Sequence, residues 1–273
     1  MKNLITRTLT GIVYVGVMIG VFFIPKAPFV AIMMLFTLIG GQEFFKMWNA
    51  TYPKISNYPF LCFTFFTFAP FIYCTAKLEI YIIAILILAT FLAMVIKIFK
   101  RSEHPISEIA QSLFPIYWIA IPMLVLTYWQ TQYSNTHTTI LAALILIWLS
   151  DTFAYCGGSL FGKHKLIEHI SPKKTWEGFL ISLILTAIAG LAFAFIPFFD
   201  DPHFKILHWI GFAILINLSG TLGDLVESMV KRSAQVKDSG KFLPGHGGWL
   251  DRFDSILFAI PIGFIYWLIC TSN

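Results

Sequence analysis

The sequence carries few charged residues for its length. Only 12% of the 273 residues are Asp, Glu, Lys or Arg, whereas 58% are hydrophobic. Soluble domains average about 25% charged and about 45–50% apolar residues. Because so few charges could not cover this much apolar surface, the composition excludes an ordinary soluble fold. We expect the lipid bilayer to be the solvent for most of the chain.

Cysteine is scarce as well. The sequence has four scattered cysteines: Cys62, Cys74, Cys156 and Cys270. They form no C-x-x-C pair and have no histidines at zinc-ligand spacing, so they predict neither a disulfide framework nor a zinc site. We interpret them as small apolar residues within membrane segments.

Long apolar runs, in contrast, are plentiful. A spanning helix needs about 20 mostly apolar residues. Nine segments qualify: 8–25, 28–47, 58–76, 79–99, 110–128, 138–157, 177–197, 205–223 and 253–271. The first reads as a membrane helix and not as a signal peptide, because no small-residue cleavage site follows it. The sequence therefore predicts an all-α, polytopic membrane protein with about nine transmembrane helices.

The chain has no visible internal repeat and no low-complexity linker. We therefore expect one membrane domain over residues 1–273. Within it, residues 1–135 would form scaffold helices, and residues 136–273 would form the catalytic helices and cytoplasmic loops.

Lysine and arginine concentrate in every second segment between the predicted spans. Positively charged loops stay in the cytoplasm. With a cytoplasmic N-terminus, every Lys and Arg falls on a cytoplasmic segment except Lys26, Lys77 and Lys205. A single missed helix would scramble this alternation. We expect a cytoplasmic N-terminus, a periplasmic C-terminus and two long cytoplasmic polar stretches, at 158–176 and 224–252.

Acidic residues concentrate in or beside these two polar stretches. Most of the 14 acidic residues lie there: Asp151, Glu168, Glu177, Asp224, Glu227, Asp238, Asp251 and Asp254. Ionisable groups at membrane depth are costly and are candidates for a functional site.

The first polar stretch contains the run Ser-Pro-Lys-Lys-Thr-Trp-Glu-Gly. Ser171 followed by Pro172 predicts a helix N-cap and the first helical position. Lys173, Lys174 and Thr175 would then lie at a helix N-terminus, where free N–H groups and the helix dipole favour phosphate. The alternative is a basic loop that flanks the next membrane helix. This run alone does not separate the two interpretations.

A stripe of polar residues lies along one face of the eighth predicted helix. Its members are spaced i, i+4, i+7 and i+11 and share one helix face: Asn217, Thr221, Asp224 and Ser228. Such a stripe could join helices, or it could carry an ion or substrate site, and its carboxylate favours the second interpretation. Gly220 and Gly223 would let a neighbouring helix approach closely.

The second polar stretch is the most informative. It places lysines, an arginine and the turn Gly245-His-Gly-Gly248 between two acidic groups. Glycines let backbone N–H groups approach phosphate oxygens. Asp251 and Asp254 follow at i, i+3, with Arg252 between them. Carboxylates from two helices are the hard oxygen ligands that Mg²⁺ takes, so the pattern favours metal-assisted phosphoryl chemistry.

The common nucleotide-binding motifs are missing. The sequence has no G-x-x-x-x-G-K-[ST] P-loop and no G-x-G-x-x-G motif, so a nucleotide would bind in another way. A lone loop histidine is more often structural. The glycines beside His246 favour a phosphate hydrogen-bond donor instead.

The stretch resembles the signature of the phosphatidate cytidylyltransferases, also called CDP-diacylglycerol synthases. The matching positions are Ser228, Lys231-Arg232, Lys237-Asp238, His246-Gly-Gly248 and Asp251-Arg252-Phe-Asp254. The run at 171–178 and the pair Ser150-Asp151 also resemble that family. Trp249 departs from it, because the family usually has an aliphatic residue, Phe or Met there, but every polar position is kept.

The resemblance implies a reaction. The phosphate of phosphatidic acid would attack the α-phosphorus of CTP, forming CDP-diacylglycerol and releasing pyrophosphate. It also implies Mg²⁺ as cofactor, with a second cation such as K⁺ allowed, and a homodimer. Membrane lipid is a further expected partner, and nucleic acid is not expected. The location would be a bacterial inner membrane, with the active site on the cytoplasmic side.

The resemblance implies that Asp224 and Asp251 hold a metal pair, and we expect the other polar residues of the motifs to complete the site. The expected metal ligands are Asp224, Asp251 and Asp254. The expected catalytic residues are Asp224, Asp251, Lys231, Arg232, Lys237, Asp238, His246 and Arg252. The expected substrate-binding residues are Ser171, Lys173, Lys174, Thr175, Glu177, Ser228, Gly247, Gly248 and Asp151. Lys173 and Lys174 are expected at the phosphatidate headgroup, because their loop emerges at the membrane surface.

Two alternatives stand beside this interpretation. A CTP-using polyprenol or phytol kinase would share the architecture but release CDP in place of pyrophosphate. An ion-coupled transporter would also use intramembrane carboxylates and glycine-interrupted helices, and inverted repeats would support it. The sequence has no visible repeat, and its polar residues crowd the cytoplasmic side, not the midplane.

Overall fold

Over the residues that it describes, the computed structural model is mostly helical and contains one short β-hairpin. The described residues are 2–51, 63–64, 67, 88, 90–91, 94–95, 98–99, 105–133, 136–199, 201, 204–240, 242 and 247–272. Within them, six helices are long and apolar enough to cross a membrane. The prediction of a helical protein with several membrane spans is confirmed at this level.

The elements follow one another in a simple order. In the first part they are α1 (Lys2–Gly20), a 3₁₀ turn (Val21–Phe23), α2 (Lys26–Thr51), α3 (Pro105–Pro115), a π-helical turn (Ile116–Ala120) and α4 (Ile121–Gln132). In the second part they are α5 (His137–Phe161), β1 (Lys165–Ile167), β2 (Ser171–Thr175), α6 (Trp176–Phe193), a 3₁₀ turn (Pro197–Phe199), α7 (Ile206–Ser233) and α8 (Leu250–Thr271).

Most predicted spans coincide with these helices. The spans at 28–47, 110–128, 138–157, 177–197, 205–223 and 253–271 each overlap a candidate membrane helix. The spans at 58–76 and 79–99 lie mostly outside the described residues. The span at 8–25 falls on α1 and the following turn, whose apolar part is Thr10–Phe23. The count of nine helices and the orientation stay predictions.

The chain divides into two compact units. The first unit contains residues 1–132 and 234–251, and the second contains residues 133–233 and 252–273. The first holds α1 to α4 and the glycine-rich part of the second polar stretch. The second holds α5 to α7, the hairpin and nearly all of α8. The single membrane domain stays a prediction.

The hairpin corrects one prediction. Ser171 and Pro172 do not begin a helix, because 171–175 is a strand that pairs antiparallel with β1, opposite Lys165 and Ile167. Helix α6 begins at Trp176, and its N-cap is Thr175, whose Oγ1 accepts a hydrogen bond from Gly178 N at 3.2 Å. Pro is tolerated early in an edge strand, and β-branched Thr suits an extended backbone. The helix therefore starts four residues later than predicted.

Small residues bring the helices of the second unit together. A Cβ on Gly178 would lie only 2.9 Å from the backbone nitrogen of Gly158, so α5 and α6 touch through their backbones. A Cβ on Gly223 of α7 would lie 3.1 Å from Ser255 Cα of α8. The close approach predicted at Gly223 is thus present. At Gly220 the nearest atom would be 3.6 Å away, which is an ordinary contact.

Helix α7 continues past the predicted membrane span 205–223. It has 28 residues and ends at Ser233, five residues after Ser228, the last member of the predicted stripe. At 1.5 Å per residue it measures about 42 Å, which exceeds the about 30 Å of a hydrocarbon core. Its apolar part comes first, so the charged end from Asp224 onward is the part that extends beyond the apolar layer.

Candidate active site

Three carboxylates converge in the second unit. Asp224 and Glu227 lie one turn apart on α7, and Asp254 lies on α8. One carboxylate oxygen of each lies within 4.8 Å of the other two. Glu227 is only 1% exposed, whereas the two aspartates are half-buried. We call these three residues the carboxylate cluster.

Two lysines neutralise part of this negative charge. Lys174 of β2 places its Nζ 2.6 Å from Asp224 Oδ2. Lys231, one turn after Glu227 on α7, places its Nζ 2.5 Å from Glu227 Oε2. Three carboxylates beside two ammonium groups retain an excess of negative charge when all are ionised. Such an excess suits a divalent cation with oxygen ligands.

A cavity of about 360 Å³ opens beside the cluster. Its charged lining comes from three elements: Asp151 of α5, Lys173 and Lys174 of β2, and Asp224 of α7. Leu166 and Phe179 are among the apolar side chains of the lining. This volume lies within the range of small-molecule sites, which combine apolar walls with a few placed polar groups.

The polar stripe of α7 contacts α6 in one part and lines the cavity in the next. Asn217 is fully buried, and its Nδ2 donates to Ser182 Oγ at 3.0 Å and to Thr186 Oγ1 at 3.2 Å on α6. This part of the stripe joins two helices. One turn later, Thr221 lines the cavity, and Asp224 follows it. The interpretation of the stripe as a connection between helices is confirmed at Asn217, whereas the ion or substrate site at Asp224 stays a prediction.

In the first unit, Asp251 binds its own segment. Its Oδ2 accepts hydrogen bonds from Ser239 N at 3.0 Å, Ser239 Oγ at 3.1 Å and Gly248 N at 2.7 Å. Gly247 has φ +86°, a left-handed conformation that favours glycine. The N–H of Gly248, expected at a phosphate, is donated here to Asp251. The metal role of Asp251 and the phosphate role of Gly248 stay predictions.

Comparison with known proteins decides the family. Residues 5–270 match the cytidylyltransferase family. The chain belongs to that family. It is also similar to proteins named phosphatidate cytidylyltransferase, being 38% identical to one from Staphylococcus aureus (strain COL) over 177 residues and 42% identical to one from Staphylococcus saprophyticus over 179. Each alignment covers 65% of this chain and 66% of the relative, just under two thirds of its length. The family predicted from the motif is confirmed.

Other motif residues of this cytidylyltransferase-family chain support the cluster or lie at the surface. Ser228 Oγ donates to Asp224 Oδ1 at 3.3 Å, which helps to orient that carboxylate. Arg232 is exposed, with its Nε 3.5 Å from Ile170 O of the hairpin. Lys237, Asp238 and Arg252 are exposed as well. His246 lies outside the described residues. The roles expected of these residues stay predictions.

Glu177 holds the hairpin. Its carboxylate accepts hydrogen bonds from Lys163 N at 3.0 Å and His164 N at 3.2 Å, and His164 Nδ1 lies 2.5 Å from its Oε1. These contacts fix the chain before β1 against the first turn of α6. Its predicted contact with substrate stays a prediction.

Two glutamates of this structure were not assigned from the sequence. Glu227 could have been found, because it follows Asp224 by three residues and precedes Lys231 by four, the spacings of one helix face. Glu43 belongs to the predicted span 28–47, where a lone acidic residue in an apolar run is itself a signal. It contacts a segment about 200 residues away along the chain, which no local pattern predicts.

Proposed function

We propose that this chain is a phosphatidate cytidylyltransferase, which joins CTP to phosphatidic acid and releases pyrophosphate. The observation that carries the proposal is the carboxylate cluster beside Lys174 at the cavity, in a chain of the cytidylyltransferase family. The names of the relatives agree with this substrate pair.

The cluster fits a divalent metal. Mg²⁺ takes oxygen ligands, and carboxylates are among those that hold it in proteins. The three carboxylate oxygens lie within 4.8 Å of one another, so these side chains could converge on one ion. We infer that Asp224, Glu227 and Asp254 would hold Mg²⁺. The sequence motif assigns Asp251 as a further metal ligand. The bound metal would neutralise charge on the CTP phosphates. A second cation such as K⁺ remains part of the proposal.

The proposed reaction needs no strong general base. The attacking oxygen belongs to a phosphate that is already ionised at neutral pH. It bonds to the α-phosphorus of CTP while the bond from that phosphorus to the bridging oxygen breaks, and pyrophosphate leaves with the electron pair. The protein must hold the two anions in line and offset their repulsion. Lys174 and Lys231, already placed beside carboxylates, supply positive charge within reach.

The cations of the site would divide between the two substrates. Lys173 and Lys174 line the cavity on the hairpin and would bind the phosphatidate headgroup. The motif residues Lys231, Arg232, Lys237 and Arg252 would neutralise the triphosphate or the headgroup, and 246–248 would donate to the nucleotide phosphates. Ser171, Asp151 and Asp238 complete the proposed site.

We also propose a bacterial inner-membrane location, nine spans, a cytoplasmic N-terminus and a cytoplasmic site. The distribution of Lys and Arg supports this orientation, and the six long apolar helices support the membrane location. A homodimer is part of the proposal through the family resemblance alone.

The test is product formation by the purified protein. In mixed micelles with phosphatidic acid and Mg²⁺, CTP labelled in cytidine should give a lipid-soluble labelled product and free pyrophosphate. Asp224→Asn should abolish both, whereas Glu168→Gln, an exposed carboxylate of the hairpin, should leave both unchanged. Folded wild-type protein that leaves all cytidine in the aqueous phase would refute the proposal.

A further inference from the structure

Glu43 is an acidic residue within an apolar membrane helix. It lies on α2 in the first unit and is 9% exposed. A carboxylate in such a place costs free energy unless strong hydrogen bonds compensate the lost water. The motif does not include Glu43, and it does not belong to the carboxylate cluster of the second unit.

The carboxylate of Glu43 binds the segment that leads into α8. Its Oε1 accepts a hydrogen bond from Trp249 N at 2.9 Å. Its Oε2 accepts from Leu250 N at 3.1 Å and from Ser239 Oγ at 3.0 Å. Leu250 is the first residue of α8, so an anion meets free N–H groups and the positive end of the helix dipole. Hydrogen bonds to a charged acceptor are about twice as strong as neutral ones.

The segment is shaped around this carboxylate. A Cβ on Gly240 would lie 2.5 Å from Glu43 Oε1, and a Cβ on Gly248 would lie 2.5 Å from its Oε2. One turn earlier on α2, a Cβ on Gly40 would lie 2.5 Å from the ring of Trp249, which is 1% exposed. Three glycines thus make room for the contact, and the tryptophan fixes the segment to α2.

Ser239 connects Glu43 to Asp251. Its hydroxyl oxygen lies 3.0 Å from Glu43 Oε2 and 3.1 Å from Asp251 Oδ2. One hydroxyl carries one hydrogen, so the two carboxylates share a single donor. The Ser239 N–H also donates to Asp251, at 3.0 Å. Any displacement of Ser239 from Glu43 therefore changes the hydrogen bonds that orient Asp251.

We propose that Glu43 is a positioning residue for the transfer reaction. It fixes Ser239 and the start of α8, and through them it sets the orientation of Asp251 and of the turn at Gly247 and Gly248. Glu43 itself does not touch a substrate. This inference rests on the proposed function, which assigns Asp251 and the turn to metal and nucleotide.

The experiment compares full-length wild type with Glu43→Gln. Glutamine keeps the shape, but its amide nitrogen is a donor and must face a donor, so at least one of the three hydrogen bonds is lost. Hydrogen exchange of peptides containing Trp249 and Leu250 should become about tenfold faster or more, the effect of losing a hydrogen bond to a charged group. The kcat should fall about tenfold or more, while the KM for phosphatidic acid stays within about twofold of wild type, since Lys173 and Lys174 are untouched.

Matched variants make this test specific. Glu108→Gln, a partly exposed glutamate on α3 of the same unit, should change neither exchange nor kcat. Ser239→Ala removes only the shared hydroxyl and should lower kcat in the same way. It therefore tests the proposal even where Glu43→Gln folds poorly. Because both residues act through one connection, the double variant should be no slower than the slower single variant.

Three results would overturn the proposal. Unchanged exchange at 249–250 in Glu43→Gln would remove the structural contact. A raised KM with unchanged kcat would make Glu43 a binding residue. Multiplicative losses in the double variant would separate Glu43 from Ser239. If wild-type protein forms no product at all, the proposed function fails by itself, and the exchange data still decide whether Glu43 orders the segment.

Discussion

The hairpin at 163–177 and the segment at 239–251 are held in the same way. In the second unit, Glu177 accepts hydrogen bonds from two successive backbone N–H groups, those of Lys163 and His164. In the first unit, Glu43 does the same for Trp249 and Leu250. Each time a glutamate on a membrane helix fixes a polar segment by its backbone, and this leaves the side chains of that segment available for other contacts.

The two segments differ in what those side chains contact. On the hairpin, Lys174 reaches out to Asp224 of another helix and lines the cavity. On the other segment, the Asp251 carboxylate accepts hydrogen bonds from Ser239 and Gly248 of the segment itself. We infer that the hairpin presents charge to ligands, whereas the segment at 239–251 first stabilises its own shape.

The sharpest test of this difference compares two aspartates. Asp224→Asn should abolish turnover, by about a thousandfold or more, because a lost metal ligand removes several kcal/mol of charge stabilisation. Asp251→Asn should do the same if the motif assignment is right. Activity of the purified, folded variants measures both. Near-normal turnover in Asp251→Asn would restrict Asp251 to a structural role in its segment.

The next largest effect concerns the hairpin lysines. Changing Lys173 and Lys174 together to Ala should raise the KM for phosphatidic acid about tenfold or more, because charge-assisted contacts to the headgroup are lost. The KM for CTP should change less. Lys165→Ala on β1, an exposed lysine of the same hairpin, is the control. A larger change in the KM for CTP would assign the two lysines to the nucleotide.

A glycine pair tests how tightly the segment at 239–251 is packed. Gly248→Ala would push a Cβ against Glu43 Oε2, 2.5 Å away, and should lower the free energy of unfolding by about 1–3 kcal/mol. Gly220→Ala has room on α7, with its nearest contact at 3.6 Å, and alanine favours a helix by up to about 1 kcal/mol. Thermal unfolding in detergent should separate the two variants. Equal stability of the two variants would mean that the segment rearranges around the added Cβ at little cost in free energy.

The smallest effect concerns the start of α6. Thr175→Ala removes the N-cap hydrogen bond to Gly178 N and should cost about 1 kcal/mol of stability. Ser171→Ala should cost less than about 0.5 kcal/mol, since that residue lies at the start of a strand. A larger loss of thermal stability in Ser171→Ala than in Thr175→Ala would contradict Thr175 as the N-cap.

The sequence predicts the family and much of the site, because the deciding signals are local. Asp224 and Asp254 fall in spaced polar motifs on two predicted helices, and the structure brings them together. The strand at 171–175 was missed because Ser-Pro is typical of a helix start, while strand formation here depends on pairing with the preceding segment 165–167 and not on the residues of 171–175 alone. The continuation of α7 past the membrane span was indicated by the helical spacing of Asp224 and Ser228, and Lys231 and Arg232 are well placed at its C-terminus.

The most direct test of the central claim follows the phosphorus atoms of CTP. Purified protein is incubated with phosphatidic acid and Mg²⁺, and with CTP labelled either at the α- or at the γ-phosphorus. Cytidylyl transfer predicts α-label in the lipid phase and γ-label in free pyrophosphate. Label from the γ-position in the lipid phase, with CDP as the by-product, would contradict this account and indicate a lipid kinase.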